Sequence, residues 1–130
     1  MSTTSGDPTL KSIAIVIAAD AAGQIQALGT EPIHLSPAKH HKVRWCIYNN
    51  LDTAVTSITI GSFTGSTTPL CANNPNLTAG PIPSGGEAAV CTETCEAASS
   101  PSGTTFQYSV TIKISGKPDI VKNGPRIIIQ

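Results

Sequence analysis

Ten consecutive residues, Phe106-Gln107-Tyr108-Ser109-Val110-Thr111-Ile112-Lys113-Ile114-Ser115, alternate apolar and polar side chains without a break. Side chains along an extended strand point to opposite sides with a period of two. Phe106, Tyr108, Val110, Ile112 and Ile114 therefore share one face, and Gln107, Ser109, Thr111 and Lys113 the other. A helix would scatter both sets around its circumference, so the pattern selects a strand with one buried face. Burying five such side chains contributes roughly 10 kcal/mol before entropy is subtracted, at about 1.5 to 3 kcal/mol each. A second stretch, 42–48, carries the same code. Val43, Trp45 and Ile47 alternate with Arg44, Cys46 and Tyr48, which sets the single Trp toward a core.

Shorter pieces complete an all-β chain. Residues 11–19 are apolar on both faces, Ile13, Ile15 and Ile17 on one and Ala14, Val16 and Ala18 on the other, which fits a strand covered on both sides. A turn at 20–23 and a short strand at 24–28 make a hairpin. Pro32 and Pro37 confine 33–36 to an edge piece, because proline cannot donate to a ladder. Asn49, Asn50 and Asp52 supply turn chemistry, and 55–60 is β-branched and extended. From 61 to 105 Gly, Pro, Ser, Thr and Asn dominate. So long a loop is implausible in a compact domain, so short strands are expected within it, best at 87–92 and at 81–83. Residues 116–124 read as a turn and 126–130 as a last strand. Seven or eight strands with turns between them define a two-sheet sandwich, immunoglobulin-like or cupredoxin-like without a copper site. One domain over 11–130 follows, with a flexible arm at 1–10 and no amphipathic helix or repeat.

Composition removes several function classes. The net charge is zero and 12% of the 130 residues are charged. Nucleic acid and anionic membrane surfaces both need a dense basic face, so neither is an expected partner. Thr and Ser, 29 residues together, fill the polar role and suit sheets better than helices. No run approaches the roughly 20 apolar residues that cross a bilayer. The run at 13–19 has no cleavage site after it and reads as a first strand. The cytosol is the default compartment, and oxidised cysteines would instead indicate an extracellular one.

Few residues invite chemistry. Cys46, Cys71, Cys91 and Cys95 allow three disulfide pairings, among which sequence cannot choose. Cys-Thr-Glu-Thr-Cys at 91–95 has one residue too many for the usual zinc clip. His34, His40 and His41 precede the Trp45 strand. His40 and His41 would point to opposite faces in a strand, so they share a metal only if that piece is a loop. A type 1 copper site needs two His, a Cys and usually a Met. Met1 is the sole methionine, and no Cys is closely followed by His. There is no Gly-x-Ser-x-Gly elbow and no phosphate loop, and the carboxylates are scattered through turns. Asn76-Leu77-Thr78 matches a glycosylation sequon, which chance explains in so Thr- and Asn-rich a chain.

The segment Lys117-Pro118-Asp119-Ile120-Val121-Lys122-Asn123-Gly124-Pro125-Arg126 resembles the closing motif of the DP-EP family, a group of small bacterial proteins ending in Asp-Pro followed shortly by Glu-Pro. Lys117 and Gly124 stand here where that family has its two acids. The resemblance implies a β-rich domain whose two prolines bend the last strand back onto the sandwich, and it implies no chemistry.

These readings point to a non-enzymatic binding or self-assembly module with no cofactor. Its partner is a protein, including a second copy of the chain. It would display the 61–105 region or pair through a terminal edge at Arg126, Ile127, Ile128, Ile129 and Gln130. The alternative is a metal or redox protein using Cys71, Cys91, Cys95 and a histidine, His34 first.

Overall fold

The computed structural model describes residues 9–29, 32–65, 70–71, 76–86, 88–97 and 99–130. These form ten strands: β1 Leu10–Ala19, β2 Ile25–Leu28, β3 Ile33–Leu35, β4 Lys42–Asn49, β5 Ser57–Thr64, β6 Leu77–Ala79, β7 Val90–Cys91, β8 Cys95–Glu96, β9 Thr105–Lys113 and β10 Ile120–Ile129. The count exceeds seven or eight because several are two or three residues long. One 3-10 turn, Pro37–Lys39, precedes β4.

Two sheets pack face to face. The first runs β2-β1-β4-β7, with β8 also paired to β4, and the second runs β3-β10-β9-β5-β6. Two of the ladders are parallel: β1 with β4, placing Ile13 opposite Trp45, and β10 with β3, placing Ile127 opposite Ile33. Immunoglobulin sandwiches are built from antiparallel sheets, so these ladders set this sandwich apart from that variant. The period-two residues meet as expected. Ile13, Ile15 and Ile17 of β1 and Val43, Trp45 and Ile47 of β4 face Phe106, Tyr108, Val110 and Ile112 of β9 across one core. At its centre Trp45, Phe63 and Tyr108 form an aromatic triangle with centroids 5.4 to 6.0 Å apart. Offset and edge-on arrangements at this spacing are favoured by ring quadrupoles.

Asp20 closes the β1–β2 hairpin. Its Oδ1 accepts from the amides of Ala22 and Gln24, and Gly23 adopts a left-handed φ of 82°. Asn49 closes β4 from inside the core, its Nδ2 donating to the carbonyls of Thr53 and Ile82.

Several expectations need correction. Residues 1–8 of the expected arm lie outside the described residues, and Leu10, assigned to that arm, opens β1. Among the described residues no strand covers the second face of β1: Ala14 is exposed and Val16 and Ala18 are half-buried. Residues 120–124 are strand rather than turn, because a register shift between Asn123 and Arg126 lets β10 absorb Gly124 and Pro125 and continue. Of the two prolines, only Pro118 lies outside a strand, in the connection between β9 and β10. Arg126, Ile127, Ile128 and Ile129 are not a free edge. Arg126, Ile127 and Ile128 pair with β9, Ile127, Ile128 and Ile129 pair with β3, and the Gln130 amide donates to the Leu35 carbonyl. Within 61–105, β7 falls inside the expected 87–92 piece, and Ile82 bridges Val55. β6 was hidden because three residues carry too little alternation to read.

Candidate functional site on the outer face of the first sheet

With Ile13, Ile15 and Ile17 committed to the core, the strand period turns Ser12, Ala14, Val16 and Ala18 outward. The ladders then fix their neighbours. Val16 lies between Leu28 of β2 and Tyr48 of β4, so Leu28, Val16 and Tyr48 form one transverse row. Leu28 is 53% exposed, one of two large apolar side chains so placed among the described residues. The next row is Ala14, Cys46 and Cys91. The middle of this face is thus apolar and uncharged, with small side chains that keep it flat.

Its polar groups sit toward one end. Arg44 Nε donates to Ser12 Oγ over 2.9 Å, and Lys42 lies opposite Glu96 in the β4–β8 ladder. Leu10, Lys42, Thr94 and Glu96 line a groove of about 430 Å³ there. A second groove of about 260 Å³ lies between Pro83, Ser84, Ala88 and Val90.

All four cysteines are oxidised. Cys46 is bonded to Cys91, its direct cross-strand partner, with Cα atoms 4.0 Å apart. Cys71 is bonded to Cys95, with Cα atoms 5.5 Å apart. The two bonds differ in setting. Cys71 and Cys95 are each 3% exposed and belong to the core cluster, whereas Cys46, though 8% exposed, lies outside that cluster on the outer face and its partner Cys91 is exposed.

The histidines do not converge. His34 lies exposed on β3, opposite Ile128. His40 and His41 are in a turn, as sharing a metal would require. His40 is exposed at the end of the 3-10 turn, while His41 Nδ1 accepts the Ser36 amide over 2.9 Å. Burial, then the charges of Lys11 and Lys39, hold the His41 imidazole below its ordinary 6.5. Among the described residues no three His, Cys, Asp or Glu side chains come together in a way that could hold a metal ion.

The class of protein defined by these ladders is an all-β, two-sheet sandwich. No protein-family model matches the chain, and no curated protein matches it. Among solved structures it is similar to reduced rusticyanin, at 13% identity and a TM-score of 0.41, over 96% of this chain and 87% of that one. It is also similar to rusticyanin from Thiobacillus ferrooxidans, at 15% identity and a TM-score of 0.39, over 98% and 85%. A further structure, described as that of a copper protein, rusticyanin, matches at 13% identity and a TM-score of 0.39. These likenesses carry no argument about ligand or activity. The donor set of this chain does not fit type 1 copper, which takes a thiolate ligand, because every cysteine sulfur is bound to another. The same bonds overturn the metal reading built on Cys71, Cys91 and Cys95 with His34.

Proposed function

We propose that this chain is a non-enzymatic assembly module that associates with a second copy of itself through the outer face of its first sheet. The row Leu28, Val16 and Tyr48 carries the proposal, being an apolar strip on a sheet face where Ala14 is exposed. Contiguous apolar surface of this kind marks interaction sites on soluble proteins. A flat face is self-complementary under two-fold symmetry, and Ala14 and Ala18 leave room for a second sheet at the ordinary spacing of about 10 Å. Zero net charge adds no repulsion between copies.

Edge pairing is the weaker route. β2 has four residues, β3 and β6 three each, and β7 and β8 two each. Short edges flanked by proline, as β3 is by Pro32 and Pro37, are how sheets resist added strands. The two disulfides favour an oxidising compartment for this assembly.

Light scattering over a concentration series tests the proposal. The expected mass rises toward two chains of 13.4 kDa and stays at one chain for Val16→Lys. A wild-type mass of one chain at every concentration contradicts it.

A further inference from the structure

We infer that the Cys46–Cys91 bond is a reversible redox site open to small thiols, while Cys71–Cys95 is a permanent brace. Cys46 and Cys91 face each other in the β4–β7 ladder, so the bond lies across two strands rather than between layers. Cys91 is exposed, which gives an attacking thiolate an approach to its sulfur. Both sulfurs of the other pair sit on residues 3% exposed within the core, where no such approach exists. β7 is two residues long, yet the chain beyond it is held without the bond. The Thr92 amide donates to the Trp45 carbonyl over 2.8 Å, and the Trp45 amide donates to Thr92 Oγ1 over 3.0 Å. Thr92 is itself buried, so water does not compete for these bonds. Opening the bridge therefore leaves both thiols in register to close again.

The exchange balances with two equivalents of a small thiol. One thiolate attacks Cys91 Sγ and forms a mixed disulfide, expelling the Cys46 thiolate, which takes a proton. A second thiolate attacks the outer sulfur and leaves as the small-molecule disulfide, freeing Cys91, which is also protonated. Two electrons and two protons pass from the small thiols to the protein bond.

The test is native-state alkylation after incubation with reduced glutathione, read by peptide mass spectrometry. Two thiols per chain are expected at Cys46 and Cys91, with Cys71–Cys95 opening at least about tenfold more slowly. Oxidised glutathione should then restore the first bond with the circular dichroism of the sheet unchanged throughout. Both pairs opening together, Cys71–Cys95 opening first, or no thiol appearing before the fold is lost would each overturn the inference. A second measurement uses folded Cys46→Ser and Cys91→Ser proteins. Glutathione should add to the lone Cys91 of the first at least about tenfold faster than to the lone Cys46 of the second, and equal rates count against the inference. Cys46 and Cys91 lie in the row next to the docking strip, so these readouts are taken at concentrations where light scattering gives the mass of one chain, which separates their outcome from that of the docking face.

Discussion

The indole Nε1–H of Trp45 donates to the hydroxyl of Tyr108 over 3.2 Å, joining β4 of one sheet to β9 of the other at the centre of the core. Both side chains are buried, and burial pushes the Tyr108 phenol above its ordinary 10. Tyr108→Phe keeps the ring and orphans the indole donor, which should cost about 1 to 3 kcal/mol. Trp45→Ala also opens a cavity and should cost about 3 to 5 kcal/mol. Urea unfolding measures both, and a near-zero cost for Tyr108→Phe would show that the bond is dispensable.

Asn49 serves as a polar rivet. Its amide donates to the carbonyls of Thr53 and Ile82, and its Oδ1 accepts the Leu51 amide over 3.0 Å. Asn49→Ala leaves three main-chain groups without that partner, and a loss of about 3 kcal/mol is expected from the cost of orphaned buried groups. Asn49→Asp should also destabilise, because a carboxylate cannot donate to either carbonyl. Chemical denaturation of the two variants checks the order of magnitude.

Stability should depend on pH through His41. Its folded-state affinity for protons is depressed, first by burial and then by Lys11 and Lys39, and protonating Nδ1 breaks its bond from the Ser36 amide. The unfolded chain therefore binds the proton more readily. Stability is fully present above about pH 6.5 and falls as pH drops from there toward the depressed folded value. Asp20, held below its ordinary 3.8 chiefly by the Gln24 amide, acts only in a more acid range. Denaturation midpoints at pH 7.5 and 5 should differ for the wild type and differ less for His41→Asn, whose Oδ1 can still accept from Ser36. Equal dependence in both proteins would remove His41 from the account.

The buried bridge should contribute measurably to stability. Cys71–Cys95 spans 24 positions and lies in the core cluster. Replacing both by Ala should cost roughly 3 kcal/mol, from loop-closure entropy regained by the unfolded chain. Thermal melts would show a drop of many degrees, and an unchanged melting temperature would contradict the brace role.

The strong strands were legible because β9 alternates strictly and β4 departs from alternation at its centre only at Cys46. Turn chemistry at Asp20 and Asn49 was equally plain. The first half of β10 was not, since Asn123, Gly124 and Pro125 resemble a turn unless a neighbouring strand supplies the register for a bulge. Disulfide pairing could not be read, because it depends on which strands lie side by side. The outer face of β1 misled for a different reason. Ala14, Val16 and Ala18 look the same in sequence whether a covering layer belongs to the same chain or to another one.

What covers that face in solution can be measured directly. Backbone amide chemical shifts followed by nuclear magnetic resonance on dilution report which surface leaves a partner. Concentration-dependent shifts are expected at Ala14, Val16, Ala18, Leu28 and Tyr48, with β3 and β6 unmoved. Shifts confined to β3 or β6, or none at any concentration, would contradict assembly through this face.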